Sequence, residues 1–230
     1  MKAIFLNCWH AKIKEKLFDF ILKNSSSVDI FCFQELDKKF FDELQTKLKN
    51  FKGVYQTKRY INDWNFHQAI FVKNNFEFET ITVGCQAVKI KSYQSVFFVY
   101  NVHGVSLPGD KNDSKERLEQ SRQIIDLAQK FSIPAIIGGD FNLNPNTQSI
   151  KMFDETDYVN LIKEYKIKST RNHFAWEQAQ EQLRNEGREF YGKQYYADYC
   201  FVTHDIKVKT FAVPDPEVSD HLPLILEFEV

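Results

Sequence analysis

The chain is poor in glycine and proline, eight and six residues in 230, and holds only four cysteines and two methionines. Cys8, Cys32, Cys85 and Cys200 are far apart and form no C-x-x-C pair, which argues against a zinc ribbon or a thioredoxin-type motif. Each reads as a buried free thiol. No stretch reaches 18 apolar residues, and the apolar part of MKAIFLNCWH is too short for a secretion signal. The expectation is a soluble, cytoplasmic protein with no membrane segment. There is no G-x-S-x-G elbow and no G-x-G-x-x-G loop, which disfavours a serine hydrolase and a dinucleotide binder. No linker, repeat or low-complexity tract divides the chain, so residues 1-230 are read as a single domain with no obligate protein partner. Neither sign of charge is in excess. Thirty Lys and Arg stand against 31 Asp and Glu, a net charge of -1, without the basic balance of a protein that lives mainly on phosphate backbones.

What is present is aromatic and apolar: 22 phenylalanines, and 43% hydrophobic residues overall, enough for a large core without a disulfide or metal staple. Short runs rich in Val, Ile, Phe and Tyr predict about ten strands. They lie at Ala3 to Leu6, Val28 to Phe33, Gln68 to Val72, Phe76 to Val83, Ala87 to Ile90, Val96 to Val102, Pro134 to Ile137, Tyr199 to Val202, Val208 to Val213 and Leu222 to Val230. Helical periodicity predicts helices over His10 to Lys23, Lys38 to Lys49, Lys115 to Phe131 and Ala175 to Gly187, with Gly104 to Asp113 and Asn142 to Thr147 as loops. Strands alternate with helices early, whereas Gln68 to His103 reads as consecutive strands. That mixture favours an α+β sandwich of two sheets with helices outside.

Polar residues interrupt these runs at consistent places. AIFL runs into Asn7, VDIFCF into Gln34 and Glu35, VFFVYNV into His103, and PAII into Gly138-Gly139-Asp140-Phe141-Asn142. Conversely, Asp198 opens DYCFV, and Ser219-Asp220-His221 opens LPLILEFEV. If those two strands run antiparallel to the other four, all six clusters meet on one sheet edge, where functional loops sit. Singly, each residue is an ordinary turn former or a structural histidine. Jointly, hard oxygen ligands with two imidazoles and no clustered thiols suit Mg2+ or Mn2+ rather than zinc. Carboxylate-bound metal neutralises phosphate charge, and a carboxylate or a carboxylate-paired imidazole takes a proton from water. Phosphoryl chemistry follows.

The segments LNCWH, FCFQE, NVHG, GGDFNLNP, ADYCFVT and VSDHLPL, in this order from residue 5 to 225, resemble the signature segments of the endonuclease/exonuclease/phosphatase superfamily. The resemblance implies a four-layer α/β/β/α sandwich with the site at the sheet edges. It implies a metal site at Glu35, supported by Asn7 and Asp220, and makes Asp140 the residue that activates water or protonates the leaving group. By the same likeness Asn142 orients nucleophile and phosphate, Asp198 pairs with His221, and His103 contacts the scissile phosphate. His67 stands where the deoxyribonuclease branch has a glutamate, and Asn101-Val102-His103 departs from the abasic-endonuclease branch.

The expected activity is a Mg2+- or Mn2+-dependent phosphodiesterase acting on a phosphodiester substrate, DNA or RNA. The alternatives are a phosphatase or phosphodiesterase for a small molecule or lipid headgroup, and a non-catalytic scaffold. Setting aside Glu35, Asp140, Asp198 and Asp220 leaves the rest of the chain net basic, so near-neutrality does not exclude nucleic acid. His67, Arg117 and Arg171 are candidate substrate contacts; Arg117, with Gln120 and Arg122, reads either as a phosphate ligand or as part of a solvated helix face. Between Lys168 and Tyr196, Arg171, His173, Trp176, Arg184, Arg188, Lys193, Tyr195 and Tyr196 mix cations with aromatics that either stack on bases or pack the core. Trp9 and Trp64 are candidates for the substrate mouth.

Overall fold

The computed structural model describes residues 1–57, 67–83, 85–92, 95–187 and 192–230. Trp64 and Arg188 lie outside them. Twelve strands follow in chain order: β1 Lys2–Asn7, β2 Ile30–Gln34, β3 Phe51–Gln56, β4 Gln68–Lys73, β5 Glu77–Val83, β6 Cys85–Lys91, β7 Val96–His103, β8 Ala135–Asp140, β9 Tyr158–Asn160, β10 Asp198–Thr203, β11 Lys207–Ala212 and β12 Leu224–Glu229. The helices are α1 Lys14–Asn24, α2 Lys38–Lys47, α3 Lys115–Gln129, α4 Gln148–Asp154, α5 Leu161–Glu164 and α6 His173–Asn185. The strands form two six-stranded mixed sheets, ordered β11-β12-β1-β2-β4-β3 and β5-β6-β7-β8-β10-β9. No described helix is long and apolar enough to cross a membrane.

Alternation along β1 sets the layering, because successive strand side chains point to opposite faces. Ala3 and Phe5 face the second sheet and join its core, while Ile4 and Leu6 face outward to Leu17 and Ile21 of α1 and Phe40, Phe41 and Leu44 of α2. On the far side, Ile124, Ile125 and Leu127 of α3 cover the second sheet. The result is the four-layer α/β/β/α sandwich. Close contact of the sheets needs glycine at one point: a Cβ on Gly138 would sit 2.8 Å from the Phe5 ring.

A buried amide network joins the sheets near their site ends. Asn101 Nδ2 donates to Phe33 O, Ala69 O and Gln86 Oε1, and its Oδ1 accepts from Gln34 Nε2. Gln68 Nε2 donates to Asn101 O at 2.7 Å. Buried amides bonded across the two sheets in this way fix how the apolar faces register, although Gln34 Oε1 and Gln68 Oε1 have no hydrogen-bond partner among the described residues. Chain ends meet at the opposite pole, where the Met1 ammonium donates to Phe228 O at 2.8 Å.

The first helix begins later than the periodicity predicts. Trp9, His10 and Ala11 hold φ of 48°, 50° and 53°, a left-handed turn that delays α1 to Lys14. Strands β3 and β9 and helices α4 and α5 have no counterpart in the sequence reading. β3 carries Gly53 and an exposed Lys52, β9 is three residues long, and α5 is four, all too short or mixed for a periodic signal. α4 starts where its N-cap, Thr147, accepts from Ile150 N.

Candidate active site

Strand polarity brings the six polar clusters to one edge. β1 and β2 are parallel with Asn7 opposite Gln34, and β7 and β8 are parallel with His103 opposite Asp140. β10 is antiparallel to β8, so Asp198 at its start faces Asp140. β12 is antiparallel to β1 and is entered from Asp220 and His221. His103, Asp140 and Asp198 therefore lie abreast on three neighbouring strands. Gly139, at φ 130°, makes the β8 end possible: a Cβ there would lie 2.2 Å from Val102 O. Glu35 and Asn142 hold φ of 50° and 54°, uncommon for residues with a Cβ.

Asp140 is the hub. Its Oδ1 accepts from Asn142 N at 2.8 Å, and its Oδ2 accepts from Asn7 Nδ2 at 2.9 Å and Asn142 Nδ2 at 3.1 Å. Imidazole nitrogens of His221 and His103 stand 3.7 and 3.9 Å from Oδ2. The side chain is 1% exposed. Burial alone would raise its pKa, but His221, Lys111, His103 and Arg171 outweigh it and hold the carboxyl down at about 2. Asn7 is held in turn, since its Oδ1 accepts from Trp9 N and Ser219 Oγ donates to its carbonyl.

His221 Nδ1 lies 3.0 and 2.9 Å from the two Asp198 oxygens, which makes Nδ1 the protonated nitrogen and turns Nε2 toward the site. Thr170 Oγ1 accepts from Asp198 N and fixes the strand start. Arg171 Nη1 stands 2.7 Å from His221 Nε2, and Nη2 donates to Asp220 Oδ2 at 2.9 Å. Burial lowers the His221 pKa, yet Asp198, Asp220 and Asp140 more than compensate and carry it above its ordinary value despite Arg171. The Arg171 contact forms only with the neutral ring, so Nε2 is contested between a proton and the guanidinium. Burial raises Asp198 above the ordinary carboxylate range even with His221 against it.

Glu35, 25% exposed, stands beside this hub. Its Oε1 is 3.6 Å from His103 Nε2, and its Oε2 is 3.4 Å from His10 Nε2. His10 Nδ1 is 3.0 Å from Asp37 Oδ1. Burial lowers the His103 pKa against Glu35 and Asp140, which favours the neutral ring. Among the described residues, two groups bring ligand atoms within 4.8 Å of one another: Glu35, His103 and Asp140, and Asp140, Asp198 and His221. The first group, two hard carboxylates with an imidazole and a supporting amide, fits a divalent cation of the Mg2+ or Mn2+ type. Asp220, implied by the resemblance as a metal carboxylate, belongs to neither group, and its Oδ2 accepts from Arg171 Nη2.

Of the three candidate substrate contacts, Arg171 is at the site. His67 is beside it: its Nδ1 is 2.7 Å from Tyr55 Oη, and its ring meets His10 edge-on at 6.4 Å. Arg117 is neither a phosphate ligand nor part of a solvated face. It is 1% exposed, and its guanidinium donates to Val105, Ser106, Pro108 and Asn112 carbonyls and pairs with Asp110. It is the internal brace of the 104–113 loop. Trp176 Nε1 donates to Gly192 O, while Tyr195 is 49% exposed with Lys193 Nζ 4.8 Å above its ring. Lys12 Nζ sits 4.2 Å from the Trp9 ring centroid.

Two residues at the site have no counterpart in the sequence reading. His10 reaches Glu35 only because the left-handed turn redirects it. Lys111, 5% exposed, donates from Nζ to Asn142 Oδ1 at 2.5 Å, and burial lowers its pKa to about 8 against Asp140. Its loop position carried no periodic signal; the one available hint was a cation in the segment between two predicted site strands.

The chain matches the family model described as "Endonuclease/Exonuclease/phosphatase family" over residues 4–221. A search of curated proteins gives no match. Among solved structures it is similar to the human Nocturnin catalytic domain with bound sulfate, at 18% identity and TM-score 0.73, covering 100% of this chain and 93% of that one. The mannosyl-6-phosphatase of Bacteroides thetaiotaomicron is 18% identical with TM-score 0.72, each chain covered in full. A humanized D. rerio TDP2 is 13% identical with TM-score 0.73, covering 100% and 99%. At these identities the likeness is one of fold, and the family match over nearly the whole length decides the assignment. The chain is a member of the endonuclease/exonuclease/phosphatase family, whose members are phosphoester hydrolases.

Proposed function

We propose that residues 1-230 form one catalytic domain that hydrolyses nucleic-acid phosphodiester bonds by in-line attack of water, with a divalent cation, Mg2+ or Mn2+. The observation that carries this reading is the ionised Asp140, buried among amide donors, imidazoles, the buried Lys111 and the partly buried Arg171. Glu35 would hold the metal beside His103 and Asp140, supported by Asn7 and Asp220; when bound, it supplies positive charge for the phosphate. Asp140 receives the proton of the attacking water, and Asn142, tied to it through Nδ2, orients that water. His221, with Nδ1 fixed by Asp198, presents a protonated Nε2 to the phosphate when that proton displaces the Arg171 contact, and the released Arg171 Nη1 adds a second donor. His103 contributes a neutral imidazole, and His67 contacts the substrate at the rim. The four buried thiols support a reducing, cytoplasmic setting.

The second reading, a phosphatase for a small phosphorylated molecule, is supported by the similarity to a mannosyl-6-phosphatase. A divalent-metal-dependent panel separates the two: plasmid, single-stranded DNA, RNA, abasic duplex, 5′-tyrosyl DNA, inositol phosphates, sugar phosphates and a bis-aryl phosphodiester. Cleavage of a nucleic acid that stops with chelator and with Glu35→Ala supports the first reading. Turnover confined to phosphomonoesters refutes it, and no turnover of any substrate refutes both.

A further inference from the structure

Lys111 is the buried cation whose partner does not match its charge. A lysine ammonium carries three N–H donors, and buried ones are ordinarily paired with a carboxylate. Here the ammonium's hydrogen-bond partner among the described residues is the neutral Oδ1 of Asn142, which leaves two donors over. The neighbours that act on it through space are Asp140, Arg171, Asp198 and Asp220, all residues of the site edge. Its backbone is fixed as well: φ is 57°, and its carbonyl accepts from Asn144 N at 2.8 Å. The fold therefore holds a buried ammonium in place with one of its three N–H groups accounted for among the described residues. Such a group is costly to bury unless an anion completes it.

Its contact with Asn142 has a second effect. A primary amide has one accepting and two donating positions. With Lys111 on Oδ1, Nδ2 must face Asp140 Oδ2 and Gly104 O, at 3.1 and 3.2 Å. Lys111 thus decides which way the Asn142 amide points.

We infer that Lys111 is a phosphate ligand of this site, donating to a non-bridging oxygen of the substrate phosphate while its third N–H keeps Asn142 oriented toward Asp140. This rests on the phosphoesterase reading and adds a residue to it. Arg171, which bridges to His221, is among the charges that act on both Lys111 and Asp140, so one phosphate would offer the two cations a common anion.

The test uses inorganic phosphate as probe, followed by 31P NMR and calorimetry on the full chain, in chelator and in saturating Mg2+. Lys111→Met should weaken phosphate about 10- to 100-fold, as expected for losing a charge-assisted hydrogen bond. Lys111→Arg should restore it to within about 3-fold of wild type by the same arithmetic. The melting temperature of Lys111→Met should fall as well, because Lys111 helps to hold Asp140 ionised and satisfies Asn142 Oδ1, so phosphate affinity is the deciding readout; Lys111→Gln serves if the methionine variant does not fold. Unchanged phosphate affinity with a lowered melting temperature would show a purely structural lysine and overturn the proposal, as would a wild-type protein that binds no phosphate in either condition. The two readings fail separately. A protein that hydrolyses no phosphoester yet loses phosphate with Lys111→Met loses the enzyme and keeps the ligand; one that turns over normally with Lys111→Met keeps the enzyme and loses the ligand.

Discussion

Replacing Asp140 by asparagine removes one charge and adds two hydrogens, and the structure says where they go. Oδ2 accepts from two amide groups and Oδ1 from one backbone N–H, so an asparagine amide at the Oδ2 position would face two donors, and at the Oδ1 position one. The second placement wins and leaves a buried backbone donor unsatisfied, at about 1–3 kcal/mol. The lost charge adds to this. A pKa lowered from 3.8 to about 2 corresponds to about 2 kcal/mol of native-state stabilisation at neutral pH. Because the folded pKa is depressed, that stabilisation is present above the unfolded pKa and disappears as pH falls through the folded one. The total, about 3–5 kcal/mol, lowers the melting temperature of a chain this size by roughly 6–20 °C. Calorimetry at pH 7 in chelator isolates the protein's own charges, and turnover in parallel should fall by about 10²–10⁴. A variant that melts within about 2 °C of wild type would refute the charge-hub argument even if inactive. One that also turns over would remove Asp140 from the chemistry.

Three further outcomes are expected. Gly139→Ala forces a side chain into φ 130° with its Cβ 2.2 Å from Val102 O, and should lose about 3 kcal/mol or more by denaturant titration; an unchanged midpoint would mean that β7 yields where the packing says it cannot. The His221 pKa is raised by its carboxylates, so its contribution is full below about 6.5 and fades as pH rises through the folded value. The stability gap between wild type and His221→Gln should therefore narrow from pH 6 toward pH 9, and a widening gap would reverse the assigned sign. All four thiols are buried with raised pKa values, so an aromatic disulfide reagent should label the native protein only at its unfolding rate, and fast labelling would contradict their burial.

Much of the site was legible because strands are directional. Once Asn7, Glu35, His103 and Asp140 terminate apolar runs and Asp198 and His221 begin them, one alternating polarity suffices to gather them, and β10 and β12 have it. What escaped depends on backbone conformations that periodicity does not encode. Periodicity places His10 in a helix, and only three consecutive positive φ values turn it to Glu35. Lys111 and Arg117 sit in and beneath one loop, and composition there does not say which cation points in. Arg117 is distinguished by five N–H groups in a rigid fork, which suits it to gathering several carbonyls. Lys111 has a compact charge that one amide can hold. β3, β9, α4 and α5 are short, and their identity comes from the packing around them.

The meeting of the chain ends has a practical side. β1 runs from Met1's neighbour to Asn7, and β12 runs back from the His221 segment toward Val230, so both ends lie one strand length from the edge that holds the candidate site. A protein tethered to a bead or sensor chip through either terminus would present that edge outward. Polymers and small esters would then both have that edge open to them, and their competition for it could be timed on one and the same immobilised sample.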